Sequence, residues 1–121
     1  SRGWMRNDVA RSASSVMISC INIYNDRDVL TQTQRAGIYR QSKEWFEMNE
    51  TFQASSNSEK QKAYEINVMI WTVIGTYYEL AKQKNDPKVI KAVGDAAAVI
   101  FEYYTGESIK RVKITDDGLK M

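Results

Sequence analysis

AYEINVMIWTVIGTYYELAKQKNDPKVIKAVGDAAAVIFEYY, residues 63–104, is the stretch whose reading decides the fold. Within it Ile66, Ile70, Val73, Ile74, Tyr77 and Ala81 recur at spacings of three and four, which is one stripe of an α-helix. Val68, Met69, Trp71 and Tyr78 widen the apolar surface beyond that stripe, as expected of a helix buried in a core or at an oligomer interface. The uncharged run from Ile66 to Tyr78 is too short, and too interrupted by Asn67, Thr72 and Thr76, to span a bilayer. Upstream, Ser56 and Glu59 have capping-box spacing. Downstream, Asn85-Asp86-Pro87 ends this helix and starts the next: Asp86 suits an N-cap, and Pro87 suits the first helical position, where no donor is required.

The next helix carries Ile90, Val93, Ala97, Ile100, Phe101 and Tyr104 on one face, and Gly106 is its expected stop. So short a connection makes the two helices antiparallel neighbours. Counting outward from the turn places Gly75 opposite the Gly94–Ala98 segment, which predicts a close approach of small residues and a destabilising effect for Gly75→Leu. On this reading the hairpin is the centre of the fold and the rest of the chain covers it.

Ser1 to Arg6 reads as an extended lead-in whose Trp4 and Met5 dock on the core. A first helix is expected from Asp8 to Tyr24, capped by Asn7, with Val9, Ala13, Val16, Met17, Cys20 and Tyr24 as its buried stripe. Arg11, Ser12, Ser15, Ser19 and Asn22 form the opposite side, read as a solvent face. Asp28 is the expected cap of a second helix from Val29 to about Ala54, in which Ile38, Trp45 and Phe52 recur every seven residues and Gly37 marks a bend, a break or a close contact. Residues 54–58 have the composition of a loop. Beyond Gly106, the basic and β-branched run Ile109–Ile114 and the turn signal Asp116-Asp117-Gly118 leave three readings open: a short strand, a last helical turn or an ordered tail. The predicted fold is all-α, a compact antiparallel bundle of about four helices in one domain, residues 1–121, with residues 106–121 as a C-terminal extension.

The composition narrows function by exclusion. The chain has 121 residues, a single proline, six glycines and a net charge of +2, less basic than a dedicated nucleic-acid binder. It has no histidine, which removes Ser-His-Asp and Cys-His catalysis and histidine-bearing metal sites. The lone Cys20 sits on an apolar helix face and is read as core packing. No phosphate-cradling glycine loop and no Ser-x-x-Lys pair occurs. The chain is therefore read as non-enzymatic, with no cofactor and no metal. The start at Ser1 without methionine leans toward an exported or periplasmic mature chain, with a cytoplasmic one as the alternative.

Glu44, Glu47 and Glu50 could pair for acid–base work or hold a hard cation, but beside Lys43 they read as a solvated face. With Trp45 and Met48, however, Glu44 and Glu47 have the make-up of a partner-binding patch, an aromatic centre with a polar rim. Lys110, Arg111 and Lys113 form a second candidate surface. Asp95 is read as exposed and paired with Lys91. Asn49-Glu50-Thr51 matches a glycosylation sequon, which matters only in a eukaryotic secretory protein. The predicted function is a small protein-binding module, such as an inhibitor, an immunity-type protein, an adaptor or a secretion-associated factor, with another protein or a second copy as partner. The alternatives are a nucleic-acid-associated regulator using Arg2, Arg6 and Arg11 or the basic tail, and a helical protein that binds an apolar ligand.

Overall fold

The helix in the middle of this bundle is α1, Gly3–Asn25. The computed structural model describes the backbone of residues 3–120 and the side chains of residues 9–120. It contains α2, Gln32–Met48; α3, Glu50–Ala54; α4, Asn57–Lys84; α5, Pro87–Thr105; and a hairpin of β1, Lys113–Thr115, and β2, Gly118–Lys120. The fold is an all-α bundle with a small C-terminal hairpin. α1 packs more extensively on α4 and on α5 than those two pack on each other, and α2 lies against it as well. The expectation that the 63–104 hairpin forms the centre is thus corrected, since that hairpin is one wall around α1.

The serines explain why α1 takes the centre. Val9, Val16, Cys20, Ile21 and Ile23 are buried on its apolar side, and of the expected solvent face only Arg11 is exposed, with Ser15, Ser19 and Asn22 half-buried and Ser12 buried; Ser14 is buried as well. Their hydroxyls donate to carbonyls one turn back, Ser12 to Val9 at 2.9 Å and Ser14 to Arg11 at 2.8 Å. Small side chains that satisfy themselves in this way let neighbouring helices approach from that side too. The helix also begins earlier than expected, at Gly3 rather than after an Asn7 cap. The Trp4 and Met5 side chains, and so their expected docking, lie outside the described residues.

The caps of α4 and α5 are those the sequence predicts. Ser56 and Glu59 exchange both capping-box hydrogen bonds at 3.1 Å. Asn85 takes the left-handed conformation, the Asp86 carboxylate accepts the Lys88 amide at 3.0 Å, Pro87 opens α5, and Gly106 closes it at φ 73°. The α4–α5 register is set by the Tyr104 hydroxyl, which donates to the Asn67 amide oxygen at 2.5 Å. The predicted Gly75 contact is absent. A Cβ built at Gly75 meets nothing within 4 Å, whereas Gly94 lies against the backbone of Ile23 and Tyr24 in α1. The small residues of α5 serve its approach to α1.

The second predicted helix is divided, though not at Gly37. α2 begins after Thr31, which forms a capping box with Gln34, and not after Asp28. Asp28 instead pairs with Arg35 at 2.8 Å, and the Arg35 guanidinium is the main influence holding its carboxyl below the usual range. The break comes at Asn49, whose side-chain oxygen accepts the Phe52 amide at 2.8 Å and starts the short α3. An asparagine side chain can compete in this way with the main-chain carbonyl the helix would need.

Gly37 proves to be a close contact, where the C-terminal hairpin rests on α2. A Cβ there would collide with the carbonyl of Asp116 and come within 2.8 Å of the Gly118 nitrogen. The hairpin pairs Ile114 with Leu119 and delivers Leu119 into the core, 4% exposed. Of the three readings of the tail, the strand is the one the chain adopts.

Candidate functional site

The residues singled out from sequence lie on two separate surfaces. Glu44, Trp45, Glu47 and Met48 are all exposed on the last turns of α2. Trp45 packs edge-to-face on Phe46 with ring centres 4.9 Å apart, and Phe46 meets Phe52 at 4.7 Å. Glu47 pairs with Lys43 of its own helix at 4.0 Å. Lys110 and Arg111 are exposed in the turn before β1, and Lys113 is exposed on β1. Among the described residues no ion pair links the acidic set to the basic one. Asp95 is exposed and pairs with Lys91 at 3.0 Å. Cys20 is fully buried, and burial pushes its thiol up to about 12, which keeps it protonated and unreactive at neutral pH.

The most prominent surface is the broad apolar one of α4, which sequence reading gave to a core or an oligomer interface. On α4, Ile66, Met69, Val73, Tyr77 and Leu80 are each between 46% and 60% exposed. Ile66, Val73 and Leu80 recur every seven residues with Met69 and Tyr77 between them, so they form one stripe along the helix. On α5, Ala92, Ala96, Val99 and Tyr103 form a second exposed stripe at spacings of four, three and four. With Asn67 bonded to Tyr104, their neighbours Ile66 and Tyr103 bring the two stripes together at that end of the hairpin. A signal was present in the sequence: the apolar surface of α4 is wider than one neighbouring helix can cover.

A cleft of about 550 Å³ begins where the two stripes meet, at Ile66 and Tyr103. Its walls come from α1, α2, α4, the end of α5 and Leu119 of β2, with Met17, Trp45 and Phe46 supplying apolar area. None of its described lining residues carries a charge. A polar chain runs along the floor: the Tyr104 hydroxyl donates to Asn67 at 2.5 Å, Asn67 donates to the Ser12 hydroxyl at 3.1 Å, and Ser12 donates to the Val9 carbonyl. Burial, with smaller effects from Cys20 and Tyr103, raises the Tyr104 hydroxyl to about 12. Trp45 is thus the one member of the predicted α2 patch that lines the cleft.

Among the described residues no three His, Cys, Asp or Glu side chains gather as a metal site would need, and no helix is long and apolar enough to cross a membrane. No curated protein and no solved structure matches the chain. A family profile does match over its full extent, residues 1–121, and the chain therefore belongs to DUF6683, a family of unknown function.

Proposed function

We propose that this chain is a non-enzymatic protein-binding module that docks an amphipathic helix of another protein along the outer face of α4 and α5. The observation that carries this reading is the bare stripe Ile66, Met69, Val73, Tyr77 and Leu80, uninterrupted by charge. α4 has 28 residues, a length of about 42 Å. The stripe takes up the middle of it, from Ile66 to Leu80, about 21 Å. Contiguous exposed apolar patches mark interaction sites, and bare apolar stripes at helical spacing are what helix-in-groove recognition uses.

The charges around the stripe favour a different chain over a second copy. Two copies laid antiparallel about Val73 would set Lys62 against Lys84 and bring Glu65 within two residues of the position facing Glu79, like near like. A partner helix with an apolar seam and basic residues beside Glu65 and Glu79 avoids that repulsion. The α2 patch of Glu44, Glu47 and Met48 and the basic Lys110, Arg111 and Lys113 lie outside the proposed seam. For the nucleic-acid alternative, Arg11 is exposed with its guanidinium over the Tyr39 ring at 5.1 Å, while Arg2 and Arg6 lie outside the described side chains.

The test is affinity capture from the native host with the wild-type chain and Val73→Glu, washed at two salt concentrations. A protein held by the wild type at high salt and lost with Val73→Glu supports the reading. The same set of proteins on both baits, or nucleic acid that washes off at high salt, overturns it.

A further inference from the structure

We propose that the cleft beside Trp45 binds a small, electrically neutral and mostly apolar molecule with one hydrogen-bonding group, which is met by the hydroxyl of Ser42. The cleft shares Ile66 and Tyr103 with the docking face on α4 and α5, and the rest of its lining lies outside that face. The cleft volume of about 550 Å³ lies within the range of small-molecule sites, and the space between helices of a bundle is one of their usual places.

The charge of the ligand follows from what lines the cleft. With no described lining residue charged, a carboxylate, phosphate or ammonium would lose its hydration and gain no counter-charge. The apolar part of the ligand follows from Met17, Trp45, Phe46 and Ile66, which offer a thioether, two aromatic rings and an aliphatic side chain.

The polar group of the ligand follows from Ser42. This residue is only 7% exposed and lines the cleft from α2. Trp45 and Tyr103 are exposed to solvent, and the enclosed polar neighbours are already satisfied. Asn67 and Tyr104 bond each other, and both ends of the Gln41 amide are held by the Leu119 backbone. Among the described residues the Ser42 hydroxyl has no hydrogen-bond partner, and it is not sealed away from the cleft space. A hydroxyl that is nearly but not fully enclosed takes its partner from outside the chain, and one donor or acceptor on an otherwise apolar ligand can take the place of water there. The floor held by Ser12, Asn67 and Tyr104 keeps the site formed before anything binds.

The test uses N-phenyl-1-naphthylamine, a neutral two-ring amine, and its sulfonated analogue 8-anilino-1-naphthalenesulfonate, with titrations followed by probe and tryptophan fluorescence. The neutral probe is expected to saturate at one site, and the sulfonate to bind at least about tenfold more weakly. Ser42→Ala should keep its melting temperature and weaken the neutral probe roughly fivefold. Ala63→Trp, which fills the cleft from α4, should abolish binding, and Val73→Glu on the outer face should leave it unchanged. Non-saturable binding, equal affinity for both probes, an unaltered affinity in Ser42→Ala, or loss in Val73→Glu but not in Ala63→Trp would overturn the proposal. The last result would move the probe to the docking face.

Discussion

Gln41 holds Leu119 as a neighbouring strand would. Its side-chain nitrogen donates to the Leu119 carbonyl at 2.7 Å, and its side-chain oxygen accepts the Leu119 amide at 2.8 Å. One α2 side chain thereby completes the free edge of the C-terminal hairpin and fixes Leu119 in the core. Gln41→Ala removes both bonds and should cost about 1–3 kcal/mol. Amide exchange in Lys113–Lys120 should accelerate more than in α1, which would show the hairpin releasing ahead of the bundle.

Two glycines make opposite predictions. Gly37→Ala drives a Cβ into the Asp116 carbonyl, so the hairpin must lift or α2 must shift, and thermal denaturation should show a lower midpoint. Gly75→Ala meets open space within a helix and should gain up to about 1 kcal/mol from helix propensity. Its midpoint should rise by a few degrees, the reverse of what a helix–helix contact at Gly75 would require.

The buried network should tolerate loss at one end less well than its replacement as a whole. Tyr104→Phe leaves the Asn67 oxygen without its donor at the cleft floor, at an expected cost of about 1–3 kcal/mol. The double change Tyr104→Phe with Asn67→Leu removes both partners and should cost less than the two single changes added together. Urea denaturation of the full double-mutant cycle measures the difference.

Stability should fall at alkaline pH. Folded Cys20, Tyr78 and Tyr104 hold their protons to about 12, against ordinary values of 9.0 for the thiol and 10.0 for the phenols. For Tyr78 the causes are burial and then its bond to Asp26. All three groups have raised values in the folded state, so their stabilisation is complete below about pH 9 and is lost progressively as pH rises toward 12. Tyr104→Phe should reduce the pH slope of unfolding free energy between 10 and 12 by about one proton's worth. An unchanged slope would place the alkaline transition elsewhere.

Val73 is half exposed on the outer face, so Val73→Glu should leave the melting temperature nearly unchanged, within about 0.5 kcal/mol. If it instead unfolded the chain, α4 would be packed on that side, contrary to the docking face proposed above.

The features legible in the sequence are those decided within a few residues. The Ser56–Glu59 box, the Asp86-Pro87 start, the Gly106 stop and the Lys91–Asp95 pair are local bonds between near neighbours, and the structure contains each of them. The all-α class follows from the same helical spacing. The break at Asn49 was just as local, but the sevenfold recurrence of Ile38, Trp45 and Phe52 reads straight through it.

Which helix faces are buried was decided only by the tertiary structure. The sequence marks the middle of α4 as apolar on most sides and gives α1 a serine-bearing side, yet α1 is enclosed and α4 is left half bare. Core space is limited and is shared among all the helices at once. Ser12 and Ser14, satisfied by their own helix, let α1 be approached on its serine side as well, whereas the large residues of α4 outnumber the neighbours available to cover them. The same competition brought Gln41 to Leu119 and opened the cleft at Ser42, contacts between residues too far apart in the chain for spacing to reveal.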